Sequence, residues 1–455
     1  MTNAGGFNVG RLFGTDGIRG IANGFLTSEL ALNVGIAVGR VLDEEGARCK
    51  KVLIGTDTRC SADMLESALS AGLCSVGTDV YSLGVISTPG IAFLVKREGF
   101  DAGIMISASH NPYEYNGIKI FGGDGYKLSD ALEDRIQELM CKKAEYNSST
   151  VGRRYSAKEL KDRYSEWLTL SYCADKSRLK VGLDCANGSA SNIAGRVFKS
   201  LCEKPYVIND EPNGININLC CGSTDMEGLK ALVISNGLDV GFAFDGDADR
   251  CLCIDEKGEL VDGDQILAMC SLDLKLIGKL SGNTVVGTVM TNFGFNRFCK
   301  ENDIGFIPTR VGDRYVLETM LSGSYSLGGE QSGHIIFGDS ATTGDGILTA
   351  VKVLSLMQRT KRPLSALASV MKKYPQELIN VNVSEEGKSR FSYEPEIKKA
   401  ISEAEVTLGE FGRILVRASG TEPLIRVMTE GADEQVIKDV ADNVACVIKK
   451  TLSDS

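Results

Sequence analysis

The chain has 455 residues, 51 of them glycine, 14 cysteine and two histidine, with a formal charge of −10. That length suggests about three domains, or four small ones, and the acidic balance excludes a general nucleic-acid or anionic-membrane binder, which needs basic stripes. An anionic small molecule stays open, since a local Arg/Lys pocket fits inside an acidic protein, whereas two histidines exclude a His-rich zinc site and leave only His110 or His334 for a Ser-His-Asp triad.

From the start, Met1 to Gly14 has neither a basic nor an apolar leader segment, which predicts no signal peptide. Lys51–Arg59 (KVLIGTDTR) reads as a buried strand opening into a polar loop, followed by a helix with Met64, Leu65, Ala68 and Leu69 on one face. The most apolar stretch, Tyr81 to Val95, is interrupted by Ser87, Thr88, Pro89 and Gly90 and is no membrane span. The strand device recurs at Lys180–Gly188 and Thr284–Asn292, roughly every 105 to 130 residues, which suggests three related α/β units. Ser156 to Ser171, with Ala157, Leu160, Tyr164, Trp167 and Leu168 at helical spacing, reads as the connector between the first two. Further breaks fall near Glu256–Gly263 and Lys372–Gln376. Beyond them Leu378–Val383 alternates as a half-exposed strand, and a final helix places Ile437, Val440, Val444 and Ile448 on one side, as a smaller α+β unit. The expected domains are 1–155, 156–258, 259–373 and 374–455. Scattered cysteines without a CxxC repeat predict reduced, mostly buried thiols and a cytoplasmic location.

Four segments carry chemistry. In Gly103–Pro112 (GIMISASHNP) an apolar strand delivers Ser109 and His110 into an Asn-Pro turn, so Ser109 is expected to stand exposed on a loop. As chain neighbours, Ser109 and His110 are expected to point their side chains apart, which disfavours a hydrolase pair; a loop without chemistry is the alternative. Lys119 follows at the start of another strand. In Asp245–Arg250 (DGDADR) three carboxylates at i, i+2 and i+4 after the strand Val240–Phe244 repel unless a cation sits between them, and hard oxygen donors suit Mg²⁺ or Ca²⁺. A solvated acidic turn is the bland alternative, and an EF-hand fails because Arg250 replaces its glycine and a strand replaces its helix. Gly328–His334 (GGEQSGH) is a polar, Gly-flexed loop suited to a polyhydroxylated ligand. Arg417–Arg426 (RASGTEPLIR) offers hydroxyls, backbone N–H groups and two flanking arginines, either a phosphate cradle or a turn with incidental arginines. Nucleotide motifs are missing: Gly387-Lys-Ser389 lacks the earlier P-loop glycine, which is Asn382. A serine, an acidic trio, a polyol loop and a phosphate cradle, about one per unit, make up an inventory for moving phosphate on a sugar without a nucleotide.

These four segments, in this order, with the opening Phe13–Gly20 (FGTDGIRG), resemble the α-D-phosphohexomutase superfamily. The opening, the Gly-Glu-Gln-Ser-Gly-His loop and Thr342–Gly346 (TTGDG) look most like its bacterial glucosamine-phosphate branch. The resemblance implies three doubly wound α/β domains plus a smaller C-terminal α+β domain of the TATA-binding-protein-like type, around a central cleft. It implies that Ser109 is phosphorylated in the active enzyme and completes a Mg²⁺ shell with Asp245, Asp247 and Asp249. Arg19, Lys119 and Arg250 would surround the transferred group, with Lys119 and His334 as candidates for the proton transfers. Glu330 and Ser332 would hold sugar hydroxyls, Arg310 would read the sugar or its phosphate, and Arg417, Ser419, Gly420, Thr421 and Arg426 would grip the phosphate that is not reacting. The implied reaction interconverts glucosamine 6-phosphate and glucosamine 1-phosphate through glucosamine 1,6-bisphosphate, on the route to UDP-N-acetylglucosamine and peptidoglycan. The implied partner is a small hexosamine phosphate rather than nucleic acid or membrane, and a homodimer is compatible with it. A phosphomannomutase/phosphoglucomutase of the same superfamily and a sugar-phosphate-binding protein without turnover are the rivals. One departure stands out: Tyr115 occupies the place of the aspartate usual before Asn-Gly-Ile-Lys.

Overall fold

The structure is a computed structural model and describes residues 11–14, 16–47, 50–142, 151–419 and 423–452. Two compact units emerge, one formed by the chain to Met290 with Gly305–Ser369, the other by Thr291–Ile304 with Val370 onward.

The first unit contains three sheets built to one plan. The first comprises β1 (Ile18–Ile21), β2 (Lys51–Thr56), β3 (Asp79–Val85), β4 (Ala102–Ile106), β5 (Tyr115–Gly122) and β6 (Arg154–Ser156), in the order β1-β5-β4-β2-β3-β6. Strands β6, β3, β2 and β4 run parallel, and β5 then turns back antiparallel beside β4. The second holds β7 (Val181–Asp184), β8 (Pro205–Ile208), β9 (Val240–Phe244), β10 (Cys251–Asp255) and β11 (Leu260–Val261), again with parallel β8, β7 and β9 ending in an antiparallel β9–β10 hairpin. The third holds β12 (Thr284–Thr288), β13 (Gly305–Thr309), β14 (Leu327–Gly329) and β15 (Ile335–Phe337), with parallel β13, β12 and β14 and an antiparallel β14–β15 hairpin. The three strands expected to repeat are thus β2, β7 and β12, one per sheet. Parallel strands covered on both faces must be apolar throughout, which is why β4 and β9 are buried along their whole length.

Chain connectivity places the functional loops. Each hairpin turn follows the last parallel strand of its sheet, so residues 107–114, 245–250 and 330–334 leave the carboxyl ends of β4, β9 and β14, where open α/β sheets bind ligands. Arg154–Ser156, which overlaps the expected connector at Ser156, is a strand of the first sheet, and the helix within the connector is Leu160–Leu170. Its Trp167 stacks on Phe93, 4.5 Å between ring centroids.

The second unit is a three-stranded antiparallel sheet of β16 (Gln376–Asn382), β17 (Gly412–Ala418) and β18 (Leu424–Gly431), in the order β16-β18-β17. The helices Pro395–Leu408 and Glu434–Leu452 bury Ile397, Leu408, Ile437, Val440, Val444 and Ile448 in a core with Ile425 and Val427 of β18. Glu430 is fully buried there, taking Arg413 Nε at 2.6 Å and Asn292 Nδ2 at 3.2 Å. Among the described residues no helix is long and apolar enough to cross a membrane, and the described cysteines are free thiols.

Candidate active site

Three hairpin turns of the first unit meet at one place. Ser109 adopts a left-handed backbone, φ 50°, unusual for a residue with a Cβ. It is 1% exposed, which corrects the expectation of an exposed serine. Its Oγ donates to Asp245 Oδ2 at 2.6 Å, while its carbonyl accepts from Asn218 Nδ2 at 2.9 Å, so the second domain roofs the loop. The expectation that Ser109 and His110 diverge is corrected too: the left-handed turn brings His110 Nδ1 to 3.4 Å from Ser109 Oγ. Burial and the nearby Arg250 and Arg19 push the His110 pKa down to about 4, so this ring is neutral at neutral pH.

Asp245, Asp247 and Asp249 are buried, with ligating oxygens within 4.8 Å of one another, and form the only such cluster of three among the described residues. Asp247 Oδ2 accepts from Thr88 Oγ1 at 2.5 Å and Lys119 Nζ at 2.8 Å, and Thr88 opens a helix whose N–H also reaches the Asp247 carbonyl at 3.0 Å. Asp247 Oδ1 and Asp249 Oδ1 are buried without a hydrogen-bond partner. Burial and the adjacent Asp249 and Asp247 push the Asp245 carboxyl well above the usual range. Orphaned carboxylate oxygens and mutual repulsion are what a hard cation relieves, so the trio fits a metal.

Lys119 lies in the middle of β5 opposite Met105, not at its start, and is 1% exposed. Burial opposes its charge, but Asp16, Asp247 and Asp249 outweigh that and hold its pKa far above the ordinary lysine value. It is a fixed cation in this arrangement. Asp16 accepts from Arg19 Nη2 at 2.6 Å and pairs with Lys119 at 2.9 Å and Lys127 at 2.5 Å. Lys127 also reaches Asp313 at 2.5 Å, giving a line of alternating charges from the third domain to the acidic trio.

A cleft of about 430 Å³ opens beside this line, bordered by Arg19, His110, Arg250, Glu330, Ser332 and His334. Glu330, Ser332 and His334 sit at the β14–β15 turn, where Glu330 Oε1 accepts from Gly312 N at 3.1 Å. His334 Nε2 accepts from Gly344 N at 3.1 Å, so the neutral ring carries its proton on Nδ1, 3.6 Å from Asp249 Oδ2. Burial disfavours its charge, yet Asp249, Asp313 and Glu330 raise its pKa. Arg310 lies apart from this lining: it is exposed, its guanidinium 4.0 Å from the Tyr315 ring centroid.

In the second unit Arg417 and Arg426 are directly opposite on β17 and β18, and burial together with Arg426 lowers the Arg417 pKa. Two cations in register suit an anion between them. Ser419 is buried just beyond β17, whereas Gly420 and Thr421 lie outside the described residues.

Models of the phosphoglucomutase/phosphomannomutase family match the chain at residues 10–147 (alpha/beta/alpha domain I), 162–258 (domain II), 262–374 (domain III) and 378–447 (C-terminal domain). A phosphoglucosamine mutase of Caldicellulosiruptor saccharolyticus is 52% identical over 454 residues, covering 98% of this chain and 100% of that one. The chain belongs to the phosphoglucosamine mutases. As in other phosphohexomutases, four domains make up the molecule. A phosphoglucomutase/phosphomannomutase family protein from Burkholderia thailandensis shares the fold at a TM-score of 0.82, with 22% identity and 97% of each chain covered. The Aspergillus fumigatus N-acetylphosphoglucosamine mutase, solved with GlcNAc-6P and magnesium, aligns at a TM-score of 0.67 and 18% identity, over 97% of this chain and 96% of that one.

Several residues of this phosphohexomutase site escape a reading of motifs: Thr88, Lys127, Asn218 and Asp313; Asp16 stands inside the Phe13–Gly20 motif, where nothing local marks its pairing with Lys119 and Lys127. The rule that open sheets bind ligands beyond their carboxyl strand ends would have flagged Asp57 and Arg59 after β2, but nothing local marks Asn218 or Lys127.

Close backbone approach joins the serine loop to the acidic loop: a Cβ on Gly246 would lie 2.5 Å from the Ser109 carbonyl oxygen. Gly246→Ala is therefore expected to displace one loop from the other and lower kcat by about 10²-fold, the order expected for a misplacement near 1 Å. Steady-state assay beside a melting curve checks this, and unchanged turnover would show that the approach is dispensable.

Proposed function

We infer that the protein interconverts glucosamine 6-phosphate and glucosamine 1-phosphate in the cytoplasm, using a phosphorylated Ser109. A sugar hydroxyl oxygen attacks the phosphorus of phosphoserine, the bond from phosphorus to Ser109 Oγ breaks, and glucosamine 1,6-bisphosphate forms. After the bisphosphate turns around, Ser109 Oγ attacks the other phosphorus, the bond from that phosphorus to the sugar oxygen breaks, and the sugar monophosphate leaves with that oxygen protonated and the phosphoserine restored. The observation that carries this reading is the buried Ser109 Oγ held 2.6 Å from Asp245 of the acidic trio, beside a cleft lined by its neighbour His110 and by Asp249, Arg250, Glu330 and Ser332.

Asp245, Asp247 and Asp249, with the serine phosphate, would hold Mg²⁺. When bound, Mg²⁺ neutralises charge on the phosphoryl oxygens. Arg19, Arg250 and the firmly charged Lys119 face the transferred group and stabilise its equatorial oxygens. His334, with its neutral-state proton on Nδ1, is the better placed of the two candidates to move a proton, since Lys119 is locked in its charged form. Glu330 and Ser332 orient sugar hydroxyls, and Arg310 reads the sugar from the third domain. Arg417, Ser419, Gly420, Thr421 and Arg426 hold the phosphate that is not reacting.

Comparing kcat/KM for glucosamine, glucose and mannose phosphates tests the substrate. Glucosamine phosphate is expected to lead by on the order of tenfold or more. A clear preference for mannose 1-phosphate would make the protein a phosphomannomutase instead, and binding of all three without turnover would overturn the enzyme reading.

A further inference from the structure

The loop after β2 stands outside every role assigned above, yet it makes the densest set of contacts to the serine turn. Asp57 and Arg59 are fully buried and paired, Arg59 Nε to Asp57 Oδ2 at 2.8 Å. The Arg59 guanidinium directs three further hydrogen bonds at the serine turn: Nη2 reaches the carbonyls of Ser109 at 2.9 Å and Asn111 at 2.8 Å, and Nη1 reaches that of Pro112. Asp57 Oδ2 also accepts from Ser107 Oγ at 2.6 Å, and Ser107 Oγ in turn accepts from Ser109 N at 3.0 Å. The backbone N–H and carbonyl of Ser109 are therefore both fixed, directly or through one side chain, by this single ion pair. Thr58 between them donates to the Asn187 carbonyl at 2.6 Å, tying the same loop to the second domain.

Such a pair is an expensive way to fill a core. Burying two charges costs several kcal/mol per ion, and apolar residues of equal volume serve stability as well or better. What apolar residues cannot do is direct a planar fork at three carbonyls of one turn, those of Ser109, Asn111 and Pro112. Ser109, moreover, holds a left-handed backbone that a non-glycine residue keeps only when its surroundings over-determine it.

We propose that Asp57 and Arg59 are positioning residues for phosphoryl transfer: they hold the Ser109 backbone so that its oxygen faces the acidic trio, and they set the rate of exchange at that oxygen without touching the sugar phosphate. The proposal rests on the phosphoserine reading above. Sugar contacts lie on other segments, so the effect belongs in kcat rather than KM.

The test is Arg59→Lys, which keeps the charge and loses the fork, with Asp57→Asn as a second variant that keeps Arg59 and its carbonyl bonds but weakens its orientation. For each, intact mass gives the fraction of Ser109 phosphorylated, steady-state assay gives kcat and KM per phosphorylated site, quenched flow gives phosphoryl exchange with the sugar phosphate, and a melting curve gives folding. In Arg59→Lys, kcat and the exchange rate are expected to fall about 10²-fold per phosphorylated site, with KM within about twofold and a cooperative melt. Asp57→Asn is expected to lie between this variant and the parent. A kcat per phosphorylated site within about threefold of the parent in both variants would overturn the proposal. Failure of both variants to fold would overturn it as well, since the pair would then be a core element. If the parent itself carries no exchangeable phosphate on Ser109, the phosphoserine reading falls instead, which the same mass measurement reveals.

Discussion

Ser109→Ala is expected to reduce mutase turnover by on the order of 10⁴-fold or more, while the protein stays folded. The change removes one oxygen whose contacts are Asp245 Oδ2 at 2.6 Å and the His110 ring at 3.4 Å. The loop itself is held by other groups, the Arg59 guanidinium and Asn218 Nδ2 on its carbonyls and Ser107 Oγ on its N–H. Alanine has the same Cβ as serine and meets the same backbone strain, so stability should change by about 1 kcal/mol or less. Turnover of glucosamine 6-phosphate and intact mass after incubation with the bisphosphate are the two measurements. The parent should gain one phosphate and the variant none. Undiminished turnover would exclude the phosphoserine route, because among the described residues the only other hydroxyl bonded to the acidic trio is that of Thr88, which already donates to Asp247.

The plan of the molecule was readable wherever one local pattern sufficed. Strands β2, β7 and β12 announce themselves as apolar runs opening into polar loops, and the four signature segments sit at turns that follow such runs. What local pattern could not give is which side chain meets which across 100 or more residues of intervening chain. Asn218 reaches the serine loop, Lys127 bridges Asp16 to Asp313, and Thr88 supports Asp247; each of these depends on domains closing on one another. The misjudged exposure of Ser109 has the same origin. An Asn-Pro turn is a sound signal for a loop, but a loop at a meeting of domains is roofed by its neighbours, here Asp245, Gly246 and Asn218. Likewise the proton roles of Lys119 and His334 were equal on residue type alone. They separate only once Lys119 is seen among three carboxylates and His334 against the Gly344 N–H.

Asp247→Asn is expected to lower kcat/KM by about 10³-fold, corresponding to several kcal/mol of lost charge neutralisation in phosphoryl transfer. Asparagine keeps an oxygen for the Thr88 hydroxyl and Lys119 ammonium, which donate to Asp247 at 2.5 Å and 2.8 Å, so the packing has little reason to fail. The charge balance is what changes. Three carboxylates against Lys119 and Arg250 leave about one net negative charge, and a serine phosphate adds roughly 1.5 to 2 more. A divalent cation meets that excess, and each carboxylate removed weakens its hold. Activity of the parent should vanish on chelation and return with Mg²⁺, while the variant should need much more metal for what activity it retains; Mn²⁺ binding followed by electron paramagnetic resonance reports the same shift without turnover. Equal metal binding in parent and variant would remove the trio from the metal site. A variant that cannot fold would assign Asp247 a structural task through Thr88 and Lys119, and the metal would then have to be sought from Asp245 and Asp249 alone.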